Sequence, residues 1–209
     1  MRYSSSHRKQ TRERILGAAA DLFRRDGIDA TGVDAVMAAA GLTAGGFYSH
    51  FRSKEALVAE AVDAAAARAR ERWYGQVDHL TGRAWAKALI ALYLSESHRD
   101  DRSQGCILPG LSVDVSRSSR PTRRHFEARL RGLLAHFEAR LEGALPAERA
   151  DIVGAVALSV GGIVLSRAVL DRALSAEILA ASRRSADRLL GTTRPPTRRR
   201  ARPKKKKKP

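Results

Sequence analysis

Residues 31–57 read Thr31-Gly-Val-Asp-Ala-Val-Met-Ala-Ala-Ala-Gly-Leu-Thr-Ala-Gly-Gly-Phe-Tyr-Ser-His-Phe-Arg-Ser-Lys-Glu-Ala-Leu57, and the fold follows from them. Val33, Val36, Met37 and Ala40 recur at helical spacing on one face. Thr31 is placed to cap that short helix, and Asp34 lies in its first turn, where a carboxylate suits the helix dipole. Gly41 stops the helix and Thr43 is placed to cap the next, which carries Phe47 and Phe51 toward a core. The connection over residues 40–43 has the length and the glycine of a helix-turn-helix.

Working outward, residues 7–26 read as a preceding helix with Ile15, Ala19, Leu22 and Phe23 on one face, and Gly27 supplies the left-handed residue that ends it. Ser53 caps a long helix from Lys54 to about Tyr74, with Leu57, Val58, Ala61, Val62 and Ala65 on one side. Further helices are predicted from about Arg83 to Arg99, Cys106 to Arg117, Pro121 to Gly143, Ala147 to Asp171 and Ser175 to Leu190. The fold class is therefore all-α: an N-terminal three-helix, homeodomain-like helix-turn-helix domain (residues 1–53), a helical domain (54–193) and a basic tail (194–209) expected to be disordered.

The 209 residues are 44% apolar and include one cysteine, which excludes a wholly disordered chain and a disulfide scaffold. The run from Ile152 to Ser166 is shorter than the roughly 20 residues that span a bilayer, and the cationic N-terminus does not read as a signal peptide. The formal net charge of +17 is unevenly placed: ten basic residues and no acid follow residue 193, leaving +7 for everything before them. Nucleic-acid binding by the folded part must then rest on where its cations sit.

Gly41-Leu-Thr43, Phe47-Tyr-Ser-His-Phe51 and Ser53-Lys-Glu-Ala-Leu57 together resemble the DNA-binding domain of TetR-family (tetracycline-repressor-like) transcriptional regulators. The resemblance covers residues 8–58. It implies a homodimer, usually a repressor, that binds a double-stranded operator and carries a variable small-molecule-sensing C-terminal domain in the bacterial cytoplasm, on the chromosome. By the same resemblance Thr31, Thr43, Tyr48, His50 and Lys54 are DNA-backbone contacts. The physical chemistry agrees. Lys54, in the first turn of a helix, and Arg8, Lys9 and Arg12, near the start of another, crowd cations where the dipole disfavours them unless a phosphate is present. Ala44, Gly45, Gly46 and Phe47 complete the expected DNA-binding set. The first three offer no side-chain hydrogen bond, so specificity would come from close backbone approach, thymine methyls, DNA shape and the N-terminal arm.

In the second domain the stretch from Ala147 to Asp171 is small and apolar nearly all round, and the last helix offers Ile178, Ala181, Ser182, Ser185 and Leu189 at helical spacing. Paired across a two-fold axis they would make a four-helix dimer interface; a central helix of a monomeric bundle is the other reading. An effector pocket is expected around Trp73, Trp85, Tyr93, Cys106 and Phe126, where the aromatic residues concentrate. Cys106 at a helix start reads either as a thiol activated by the dipole or as a small buried residue. His79, His98, His125 and His136 lack metal-ligand spacing and read as surface or helix-end residues; no metal and no cofactor is expected. No nucleophile–base set or phosphate-cradling loop suggests an enzyme. The alternative to a specific regulator is a non-specific DNA-packaging protein that binds through its tail. The tail itself reads as a non-specific phosphate arm, as a nuclear-localisation-like run by composition alone, or as a solvated segment without a task.

Overall fold

The computed structural model describes residues 5–102 and 105–192; the basic tail from Arg194 onward lies outside them. The helices are α1 (Ser5–Asp26), α2 (Val33–Ala39), α3 (Lys54–Arg72), α4 (Gly82–Tyr93), α5 (Glu96–Asp100), α6 (Ile107–Arg117), α7 (Arg120–Leu141), α8 (Arg149–Ala168) and α9 (Arg172–Leu189), with 3-10 segments at Ala44–Ser49 and Tyr74–Val77. Among the described residues there is no strand.

Two cores organise the chain. In the first, Ile15, Ala19 and Phe23 of α1, Val36 and Met37 of α2, Phe47 and Phe51 meet the first three turns of α3 and Ile107, Leu111 and Val115 of α6. In the second, α4, the C-terminal half of α7, α8 and α9 pack around Trp85, Leu94, Ile163 and Leu179. The helix α3 spans both regions: Leu57 to Ala65 belong to the first core, and Ala69 faces a gap beside Trp73 and Tyr93.

The terminators act as the sequence predicts. Gly41 has φ +67°, and the Gly41 and Leu42 N–H groups close back on the Ala38 and Met37 carbonyls, so the end of α2 is satisfied within the chain. Gly27 has φ +92° and its N–H bonds the Phe23 carbonyl. The next N–H, of Ile28, is donated instead across the molecule to Asp114 Oδ2 on α6 at 2.7 Å. Gly27 accordingly sits so close to Asp114 that an added Cβ would stand 2.8 Å from the same oxygen. Arg24, buried at the end of α1, bonds Asp21 at 2.6 Å and directs its other guanidinium nitrogen to the Gly105 carbonyl. The first helix, α1, is thus joined to α6 and to the loop before it.

Several expectations are corrected. The single helix predicted from Arg83 to Arg99 is two, because Ser95 caps α5 by accepting the His98 N–H. The carbonyls freed at the break are taken up: Tyr93 O by His98 Nδ1 at 2.6 Å and Leu94 O by Arg183 of α9 at 2.7 Å. His98 is therefore a core residue and not a surface one: its Nδ1 carries the proton, its Nε2 accepts the Cys106 N–H at 3.1 Å, and the ring is flanked by Trp73 and Tyr93. The apolar run of α8 lies in a 20-residue helix, long and apolar enough to cross a bilayer by those two measures alone. Ile152, Ala155, Gly162, Ile163 and Ser166 of this helix pack inward. Its opposite face, Val153, Val164 and Leu165, is exposed, as are Leu170, Leu174 and Leu189 around α9; Leu165 is 57% exposed. On α9 the inward stripe is Ser175, Leu179, Ser182 and Ala186, so Ser182 leaves the outward set expected for it.

Candidate DNA interface and effector cavity

The turn after α2 is held by Arg14, whose guanidinium donates to the Ala40 carbonyl at the C-terminus of that helix. This fixes where residues 44–49 begin. They form a short 3-10 segment and not the α-helix expected, with bonds from Gly46 N to Thr43 O and from His50 N to Phe47 O. Two glycines at its start, each costing an α-helix roughly 1 kcal/mol against alanine, and its length of six residues explain the tighter winding. The segment is anchored from beneath. Phe47 is fully buried, stacked on Phe51 with ring centroids 5.8 Å apart, and Tyr48 packs edge-on against it while remaining 76% exposed.

The predicted contact residues separate into two groups. Thr43, Ala44, Gly45 and Tyr48 are exposed, and a Cβ built on Gly45 meets nothing within 4 Å. Gly46 is half-buried over the Met37 methyl. Thr43 stands at the N-cap position in extended conformation, but its side chain makes no cap bond. Lys54 is half-buried in the first turn of α3, above the Ser53 hydroxyl that accepts the Ala56 N–H at 3.2 Å. Lys9 is exposed, and Arg8 reaches from α1 to donate to the Ser49 carbonyl at 2.8 Å. His50 is half-buried beside these cations. Burial first, then Arg8 and Arg12, push its pKa below the ordinary histidine range, and its buried Nδ1 has no hydrogen-bond partner.

The other group is engaged within the protein itself. Thr31 neither caps α2 nor reaches the surface: Gly32 holds the cap position, and the buried Thr31 hydroxyl donates to the Gly27 carbonyl at 2.7 Å. Phe47 is a core residue and offers nothing to a base edge. Arg12 is engaged by both carboxylate oxygens of Glu60 and lies over the Phe51 ring, 4.5 Å from its centroid. These three position the surface on which the others stand.

The five expected effector-pocket residues are distributed over three neighbouring spaces. A cleft of about 450 Å³ runs between α3, the start of α6 and α7, and is lined by Cys106 and Phe126 together with Arg70, Arg129, Leu133 and His136, which the sequence did not point to. A small apolar chamber of about 50 Å³ is lined by Trp85, Tyr93 and Phe137. Tyr74, Leu108 and Leu133 line both. Trp73, Tyr93 and Cys106 border a third gap of about 10 Å³, no larger than one water. Cys106 is the N-cap residue of α6, yet its thiol is not activated: burial pushes its pKa up, and the Leu108 backbone and the neighbouring tyrosines only partly offset this. Among the described residues no group of three or more His, Cys, Asp or Glu gathers as metal ligands would.

Residues 15–61 match the sequence profile of the family described as bacterial regulatory proteins, tetR family. Solved structures extend the likeness over most of the chain. A TetR-family transcriptional regulator from Streptomyces coelicolor superposes with a TM-score of 0.71 at 19% identity, covering 88% of this chain and 95% of its own. E. coli NemR in its reduced form gives 0.71 at 21% identity, with 88% and 98% covered. A TetR transcriptional regulator from Chloroflexus aurantiacus gives 0.67 at 26% identity, with 89% and 95% covered. No curated protein sequence matches the chain. The chain therefore shares the fold of solved TetR-family transcriptional regulators, and its N-terminal helix-turn-helix lies within the stretch that matches the family's profile.

Proposed function

We propose that this chain, a TetR-family member by its N-terminal domain, is a homodimeric, sequence-specific operator-binding protein of the bacterial cytoplasm that represses transcription until a small molecule releases it. The observation that carries this reading is the bare, exposed start of the 3-10 segment, Thr43 to Gly45, on the Phe47–Phe51 anchor beside Arg8, Lys9 and Lys54. Backbone and small side chains there can approach a major-groove floor closely, while Thr43, Tyr48, His50 and Lys54 lie along its rim for phosphates. Residues 1–53 would read DNA and 54–193 would sense and dimerise, with the cleft between α3, α6 and α7 as the effector site. The exposed apolar seam of α8 and α9 supports the dimer: Val153, Val164, Leu165, Leu174 and Leu189 lie on packed neighbouring helices, where a second copy would cover them. We read the chain as a binding protein and not an enzyme.

The test is a salt titration of binding to DNA flanking the protein's own gene against scrambled DNA, with the full chain and with a chain ended at Thr193. A preference of about a thousandfold or more that survives removal of the tail is the expected result. Equal affinity for both DNAs, lost with the tail, would replace this reading with tail-driven packaging.

A further inference from the structure

The rim and the floor of the α3–α6–α7 cleft differ in chemistry. At the mouth Arg70 and Arg129 face the space with one carboxylate, Asp63, between α3 and α7. That carboxylate is already shared: Arg129 pairs with it, and His125 Nε2 meets the same oxygen at 2.8 Å. Arg70 has no ion pair among the described residues. Its neighbour His136 is held neutral by burial and by the Arg70 and Arg140 charges, while Arg140 is paired with Asp78 at 2.8 Å. The mouth therefore carries positive charge in excess. The rest of the lining is largely apolar and includes the small residues Ala66, Ala69, Ala128 and Gly132, and a Cβ on Gly132 would meet nothing within 4 Å. Tyr74, Leu108 and Leu133 stand between the cleft and the chamber lined by Trp85. The Trp85 indole N–H is buried there without an acceptor.

Resting on the effector-site reading above, we infer that the ligand of this cleft is an amphiphilic organic acid. Its anionic group sits at Arg70 and Arg129 and its apolar body lies along α3 and α7, ending against Leu133 and the chamber. A cation would meet Arg70 and Arg129 unshielded. A neutral apolar molecule would leave the Arg70 charge unused, and a small polar anion would leave the apolar walls uncovered. A cleft of about 450 Å³ suits a body of ten or so carbons.

Trp73 and Trp85 are the two tryptophans of the chain and line the two smaller spaces next to the cleft, so occupancy is read without DNA by titration calorimetry together with intrinsic fluorescence. The full-length protein is titrated, below micellar concentrations, with decanoate and 4-phenylbutanoate, with their methyl esters and with decyltrimethylammonium. Saturable binding of at least one acid is expected, with its ester and the ammonium weaker by about tenfold or more, as for a lost charge-assisted hydrogen bond. Arg70→Gln should weaken the acid by a similar factor and leave the ester unchanged. Gly132→Leu, at an exposed helical position with room for a side chain, should weaken every probe while the helical content and melting temperature are kept. Esters or the ammonium binding as well as the acids, no response to any acid, or an Arg70→Gln protein that binds the acid normally would each overturn the inference. Operator release is read separately. Acid binding that leaves the operator bound would overturn effector-controlled release and leave the ligand class standing. Release by a probe that ignores Arg70 would do the reverse.

Discussion

Around Phe47 and Phe51, side chains from α1, α2, α3 and α6 close on one another, and Ile15, Val36, Phe47 and Leu57 are completely buried. Around Trp85 and Phe137, larger rings leave a chamber open, a cleft beside it and an indole N–H without an acceptor. Under the proposed function the difference matches two tasks. A surface that read DNA by close backbone approach would have to be held rigidly from beneath, and the core under Phe47 is filled. A region that admitted a ligand would have to keep space, and small residues such as Ala66 and Gly132 line the space that is there.

The contrast is open to measurement. Phe47→Ala should cost about 3–5 kcal/mol in chemical denaturation and abolish operator binding, whereas Leu133→Ala, beside existing space, should cost only about 1 kcal/mol and change ligand affinity. Equal losses at the two sites would mean that the second region is as tightly packed as the first. Asp114→Ala removes the acceptor of the Ile28 N–H between α1 and α6 and should cost about 1–3 kcal/mol, read as a lower unfolding midpoint.

A third expectation concerns pH. Burial first, and then the nearby Arg167 charge, hold the folded-state pKa of His98 below its ordinary value, against the hydrogen bond to the Tyr93 carbonyl, which favours the cation. The unfolded chain then takes up the proton first as pH falls. Stability is intact above about pH 6.5 and is lost from there toward the folded pKa, at up to about 1.4 kcal/mol per pH unit for this group. Denaturation midpoints between pH 7.5 and 5 should show this slope. It should be shallower in His98→Gln, and an unchanged slope would assign it to other groups. The smallest effect on stability is expected at Gly45. Its substitution by Ala enters open space, so the melting temperature should move by no more than a degree or two, while specific DNA binding weakens. A variant that kept full discrimination between sites would show that the close approach of this backbone is not what the operator feels.

The helix-turn-helix was legible because its information is local. Glycines at 27 and 41 with positive φ, Ser53 at a cap and Phe47 four residues before Phe51 each act within a turn or two of themselves. The break after Tyr93 was not legible, because a serine inside an apolar helical pattern is unremarked until His98 and Arg183 arrive to take the freed carbonyls. Thr31 looked like a cap by its place in sequence and lost the role to Gly32 once its hydroxyl found the Gly27 carbonyl. Cys106 does begin a helix, but what decides the state of its thiol is burial, which outweighs the hydrogen bonds offered by Tyr74 and Tyr93, residues brought from elsewhere in the chain. The cleft was invisible for a related reason: empty volume belongs to no residue, and Arg70 and Gly132 acquire meaning only when α3 and α7 stand side by side.

The meeting of Gly27 and Asp114 has a consequence for how such a chain can change over time. Asparagine, the usual replacement where φ is positive, would still bring a Cβ to 2.8 Å from the Asp114 carboxylate. Shortening Asp114 first would strip Ile28 of its acceptor. Neither step is neutral alone, so the two positions should drift together or stay fixed together, and in related sequences the identity of one should foretell the other.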